Sequence, residues 1–327
     1  MSTGEDGGAA VGFLVVGEAL IDLVPATKGD GDADPEPAST FASTWQAQTA
    51  GGPLNTAVAL ARLDRTVAFG APIGEDALAR QMTAHLRANR VAVDRVPAGR
   101  GPTAMAVVSL DEAGKASYHF HAAQTATFDF DTDRMPSLAD GEWLHIASLA
   151  LVVRPGAETL HRWALDQRPE LVSVDLNVRT IVEPDPQAYW GALEPWIDLV
   201  AERGGVVKGS DEDLDFLAPA AGLGDHAQLA RHLAERGVGC VVTTLGVDGA
   251  SALVDREEVR VPGRRVEVVD TVAAGDTFMA GFLDGWTTEA TDPATALSRG
   301  VAAASVVVGR RGAQPPTTDE VDAVLRG

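Results

Sequence analysis

The chain has a single cysteine, Cys240, set in the apolar run GVGCVVTT. One thiol cannot close a disulfide within the chain or build a cysteine-based zinc site, so Cys240 reads as a buried, inert side chain. Lysine is nearly absent: Lys28, Lys115 and Lys208 are all there is among 26 lysines and arginines. The formal net charge is −21 at pH 7, which argues against nucleic-acid backbones and anionic membranes as partners. No apolar run approaches the roughly 20 residues that span a bilayer. Residues 1–11 (MSTGEDGGAAV) lack the basic and apolar segments of a signal peptide; they read as a flexible tail, and the protein is expected in the cytoplasm. Two nucleotide signatures are also missing, a G-x-G-x-x-G turn after a strand and a G-x-x-x-x-G-K-[ST] phosphate loop. An acidic chain without them can hold a polyanionic ligand only through local positive potential, from helix N-termini or a bound metal.

What is present is a globular composition, with 45% hydrophobic residues in 327, enough for one large α/β domain or two small ones. Short apolar runs (GFLVVG, WLHIAS, LVSVDLN, GGVVKGS, GCVVTTLG) alternate with amphipathic stretches such as PGAETLHRWALDQ and DHAQLARHLAERG. That alternation predicts a mostly parallel sheet covered on both faces. Period-2 segments near 18–25, 41–48 and 103–121 break the alternation and predict a small separate sheet acting as a lid or edge.

Three stretches can carry chemistry. In DTVAAGDTF (270–278), Ala273, Ala274 and Gly275 lead into an apolar helical run. Small residues at a helix start leave unpaired N–H groups open to an anion, and Asp276 in the first turn would face the same space. Asp276 also fits simple stabilisation of a helix N-terminus. In TAGGPLNTAVALARL, Gly51 and Gly52 allow close approach by a ligand. Asn55 offers a donor and an acceptor to a hydroxyl-bearing ligand, or caps the helix. In GEALIDLVP, Glu18 and Asp22 share one face at period 2, suited to paired hydroxyls or to solvent. Two further bland readings apply to the histidines: His145 lies on an apolar strand and His161 on a helix, with no metal triad.

Taken together, these stretches resemble the ribokinase-like carbohydrate kinase family, also called the phosphofructokinase-B type. AGGPLN is similar to its N-terminal G-G-A-x-x-N signature, and DTVAAGDTFMAGF to its D-T-x-G-A-G-D signature. Between them DLNVR (175–179), KGSDEDLDFL (208–217) and TTLGVDGA (243–250) resemble further family segments in the family's order, and GRRGAQPP (309–316) its terminal turn. The resemblance implies a three-layer α/β sandwich with a β-sheet lid, forming one kinase domain over residues 12–327. It implies transfer of the ATP γ-phosphoryl group to a sugar hydroxyl, with Asp276 as general base and the backbone of Ala273, Ala274 and Gly275 as anion hole. By the same resemblance Asp22, Gly51, Gly52 and Asn55 bind the sugar, and Thr244, Gly246, Gly249 and Ser210 bind the nucleotide. Asp213 would organise Mg²⁺ through water, and a monovalent cation such as K⁺ would sit near 270–272 and 303–312.

Departures from the family pattern bear on the substrate and the anion hole. Ala273 replaces a glycine, and Ser210 and Asp213 replace the commoner Asn and Glu. In YHFHAAQTATF (118–128), His121 and Gln124 stand where many members that use hexoses or sugar acids carry an aromatic and an arginine. A ketohexose, as in fructokinases, or a sugar acid such as 2-keto-3-deoxygluconate is the expected substrate. The alternatives are a ribose or nucleoside kinase of the same family, or a catalytically weak sugar- or nucleotide-binding regulator. An exposed lid sheet would also be able to pair two copies into a homodimer.

Overall fold

The computed structural model describes residues 12–26, 43–110, 116–288 and 292–327; the expected tail at 1–11 lies outside them. The apolar runs become strands β1 (Phe13–Gly17), β4 (Val67–Phe69), β7 (Trp143–Ala147), β8 (Leu171–Asp175), β9 (Val206–Ser210) and β10 (Cys240–Thr244). These six are parallel to one another, and β11 (Ala250–Val254) and β12 (Glu257–Val261) add an antiparallel edge beside β10. The sheet runs β12-β11-β10-β9-β8-β7-β1-β4. Its central strands are buried end to end, as FLVVG and WLHIA show, because helices cover both faces.

One helical layer contains α1 (Gly52–Arg62), α7 (Ala274–Thr288), α8 (Pro293–Val307) and α9 (Thr318–Arg326); the other contains α3 (Gly156–Gln167), α4 (Pro186–Glu202), α5 (Asp211–Leu217) and α6 (His226–Glu235). Helix α2 (Ala77–Ala88) precedes the lid's second half. Local sequence sets many of the starts: Asp185 and Asp292 cap helices that open with proline, and Asp76 and Asp225 cap α2 and α6.

The period-2 segments form the second sheet, in the order β3-β2-β5-β6. Its strands are β2 (Leu20–Pro25), β3 (Trp45–Ala50), β5 (Met105–Leu110) and β6 (Ala116–His121). Residues 41–42 of the expected 41–48 segment lie outside the described residues, and the strand there extends instead to Ala50. Glu18 is not on a strand at all. It occupies the bend where the chain leaves the main sheet for the lid.

This topology decides where a ligand can bind. The chain leaves β1 toward β4 on one side and returns to β7 on the other. The carboxyl ends of β1, β7, β8, β9 and β10 therefore open onto one crevice, the usual ligand position in open α/β sheets. Among the described residues no helix is long and apolar enough to cross a membrane.

Candidate active site

A cavity of about 530 Å³ lies between the lid sheet and the strand ends. Glu18, Asp22, Gly51, Gly52, Asn55, Ala273 and Asp276 all line it, together with Tyr118 and Phe120 from β6 and Arg179 from the segment after β8. The first two sequence stretches thus meet in space. Asn55 sits in the first turn of α1, and its Nδ2 donates to Asp276 Oδ2 at 2.9 Å. The capping reading of Asn55 does not hold, since the cap position belongs to Gly51.

The geometry demands a glycine at position 51 and crowds any side chain at position 52. Gly51 has φ 121°, and a Cβ there would come within 2.3 Å of the Glu18 carbonyl oxygen. At Gly52 a Cβ would come within 2.9 Å of Asn177 Nδ2 and 3.1 Å of Asp276 Oδ1. A side chain at Gly52 would therefore cover the carboxylate from the cavity side.

The start of α7 differs from the sequence expectation in two details. Ala273 lies one residue outside the helix, in the left-handed region at φ 61°. Such a conformation costs an alanine about 1–2 kcal/mol. The Ala274 N–H, expected to be open, already donates to Thr271 O at 3.2 Å. The helical ladder begins with Thr277 N–H to Ala273 O at 2.9 Å, so the amides of Gly275 and Asp276 precede it and carry the exposed positive end of the helix.

Asp276 is buried. Burial raises its pKa, opposed by the Asn55 hydrogen bond and the charges of Lys208 and Arg179. Glu18, also buried, is pushed up to about 7 by desolvation, opposed by hydrogen bonds that include Ser148 and the Ala150 amide. Asp22 is pushed up to about 6 by burial, with Arg179 pulling the other way. Arg179 thus acts on three carboxylates of the cavity. Ser148, which holds Glu18, is itself left-handed at φ 62°, a strained conformation of the kind that concentrates at functional sites.

Residues expected to bind nucleotide sit along the same crevice, outside the 530 Å³ cavity. Thr244 and Ser210 are register partners at the ends of β10 and β9. Gly246 and Gly249 have φ 55° and 100°, and a Cβ on Gly249 would come within 2.1 Å of Val261 O. Ser210 and Asp213 form a reciprocal capping box at the start of α5, with Asp213 Oδ2 accepting from Ser210 N at 2.9 Å. Asp213 Oδ1 accepts from Val178 N at 3.0 Å. Among the described residues no cluster of three or more His, Cys, Asp or Glu is placed to hold a metal. Asp213 has one lone pair per oxygen committed to an amide, which leaves it able to meet a metal's water shell.

His121 and Gln124 line a neighbouring cavity of about 860 Å³ rather than this one. Sequence reasoning singled out neither Asp175 and Lys208 nor Asn177, Arg179 and Ser148. The first four stand in the DLNVR and KGSDEDLDFL segments, whose motif order was the available signal. Ser148 had none.

A family model described as pfkB family carbohydrate kinase matches residues 12–320. A fructokinase of Rhizobium leguminosarum bv. trifolii is 36% identical over 275 residues, covering 83% of this chain and 78% of that protein. The crystal structure of Vibrio cholerae O395 fructokinase in a fructose-, ADP- and calcium-bound form superimposes with a TM-score of 0.80 at 28% identity, covering 97% of this chain and 99% of that one. The Xylella fastidiosa fructokinase with bound ATP gives 0.79 at 26% identity, covering 96% and 98%.

Proposed function

Because the chain belongs to the pfkB family of carbohydrate kinases, we propose that it phosphorylates a neutral ketohexose, fructose foremost, at a hydroxyl placed against Asp276. The observation that carries this reading is the Asn55–Asp276 contact at 2.9 Å inside a cavity of about 530 Å³. That contact holds one carboxylate oxygen and leaves the other, beside Gly52, facing the cavity.

In this reading the sugar hydroxyl gives its proton to Asp276 as its oxygen forms a bond to the γ-phosphorus of ATP. The bond from that phosphorus to the β–γ bridging oxygen breaks, and ADP leaves with the electron pair. Burial raises the Asp276 pKa, which improves its match to a proton acceptor near neutral pH. The amides ahead of the α7 ladder and the helix dipole lie where charge develops on the phosphoryl oxygens. Asp22, Asn55 and the backbone of Gly51 and Gly52 hold the sugar, and the lid over them excludes water, the competing acceptor. The Thr244–Gly249 turn with Ser210 receives the nucleotide. A divalent cation carried on the nucleotide, met through water by Asp213, would neutralise phosphate charge when bound.

The charges of the cavity favour a neutral sugar over a sugar acid. Among the described residues Glu18, Asp22 and Asp276 line it against one guanidinium, Arg179, so a substrate carboxylate would meet net repulsion. Fructose binding in the Vibrio cholerae relative agrees with this choice. The test is a coupled ADP-release assay over fructose, other hexoses, 2-keto-3-deoxygluconate, ribose and nucleosides. Turnover led by fructose supports the proposal; turnover led by the sugar acid, or none with any substrate, contradicts it.

A further inference from the structure

Lys208 is the one described lysine of the chain, and it is buried at 3% exposure. Its Nζ donates to both oxygens of Asp175, at 3.1 and 3.0 Å. The two residues are register partners on β8 and β9, so their side chains leave adjacent strands on the same face. The ammonium also lies directly beneath the start of α7: a Cβ built on Gly275 would come within 3.1 Å of Nζ. A side chain at position 275 would therefore press on this cation. A buried charge is costly to keep, and one placed here has a use that packing alone does not require.

We propose that Lys208, clamped by Asp175, is a positioning residue for phosphoryl transfer: it fixes a positive charge under the α7 N-terminus, supporting both the ionised Asp276 and the developing phosphoryl charge. Lys208 does not line the sugar cavity, so it acts through the helix start rather than by touching the sugar. The inference rests on the reading of Asp276 as the base.

The groups around it fit this role. Asp276 is faced by Asn55 from α1, Lys208 from β9 and Arg179 from the segment after β8. Asp175 is pushed up to about 6 by burial, lowered by Lys208 and raised by Asp276 and Asp213. For Lys208 burial works against the charge, but Asp175, Asp213 and Asp276 together hold its pKa above the ordinary value. His145 on β7, neutral because of its burial, also feels the Lys208 charge. The cation is thus paired with Asp175, feels the charges of Asp213 and Asp276 as well, and stays protonated.

Two nearly isosteric variants separate this role from simple packing. Asp175→Asn keeps the cation and removes the neighbouring anion, so the acid limb of the kcat/KM–pH profile should move to lower pH. Asp175→Asn combined with Lys208→Met removes both charges without stranding one. There the limb should move up, and kcat should fall by about 100-fold, as for a lost oxyanion-stabilising group, with little change in the KM for fructose. Thermal unfolding of each variant checks that it is folded, and Asp276→Asn is assayed alongside. Opposite limb shifts support the proposal. Unmoved limbs in folded variants, with Asp276→Asn inactive, overturn this inference alone. A double variant too unstable to assay leaves the decision to Asp175→Asn, whose limb must still move down. Turnover by Asp276→Asn would overturn the reading beneath it as well.

Discussion

Asn55 and Asp276 stand 221 residues apart in sequence and are joined by a hydrogen bond of 2.9 Å. The donor amide keeps one carboxylate oxygen occupied and opposes the rise in pKa that burial causes. Replacing Asn55 with Leu removes the donor, so the Asp276 pKa rises further and the acid limb of the pH profile moves up. At neutral pH kcat/KM should fall by about 10- to 100-fold. A pH–rate profile of the variant checks this, and an unmoved limb contradicts the assignment of that limb to Asp276.

Gly52 lines the sugar cavity beside the reactive carboxylate and leaves it open to the sugar. A methyl group there would press on Asp276 Oδ1 at 3.1 Å and Asn177 Nδ2 at 2.9 Å. Gly52→Ala should raise the fructose KM and lower kcat while the affinity for ATP, measured by calorimetry, is unchanged.

Much of this site was legible in the sequence, and the reasons are local. A double glycine before a helix, and small residues leading to an acid at another helix start, are signals written within a few residues. The strand–helix alternation gave the main sheet for the same reason. What was hidden depends on crossovers. Asp175 and Lys208 are 33 residues apart and meet only because β8 and β9 pair in register. Arg179 gains its reach over Glu18, Asp22 and Asp276 from the loop beyond β8. Period-2 reasoning placed Glu18 and Asp22 on one strand face; they do line one cavity, but Glu18 gets there through a bend. His121 and Gln124 fall in the adjoining cavity because β6 forms an edge of the lid.

Ala273 carries a left-handed backbone at φ 61°. Glycine has no steric penalty there but loses more chain entropy on folding, so Ala273→Gly should stabilise the protein by up to about 1 kcal/mol. Activity should be equal or higher. Ala273→Val, with a branched side chain in the same conformation, should destabilise it by more than that. Chemical denaturation of both variants checks the order.

Glu18 makes stability depend on pH. Its folded pKa is raised from 4.5 to about 7, so the unfolded chain releases this proton at lower pH than the folded one. The folded state is therefore favoured below about pH 4.5 and loses that advantage as pH rises through 7. The shift corresponds to a cost of up to about 3 kcal/mol at pH 8. Glu18→Gln keeps an acceptor for the Ala150 amide and removes the ionisation. Its stability gain over the parent protein should be small at pH 5 and largest at pH 8, measured by denaturant unfolding.

The most direct measurement is turnover and ATP affinity of Asp276→Asn with fructose as acceptor. Asparagine preserves the shape of the side chain but cannot take the hydroxyl proton. The account predicts that phosphorylation falls by at least about 100-fold while calorimetric ATP binding stays at the parent value. Phosphorylation of fructose at the parent rate by Asp276→Asn would contradict it.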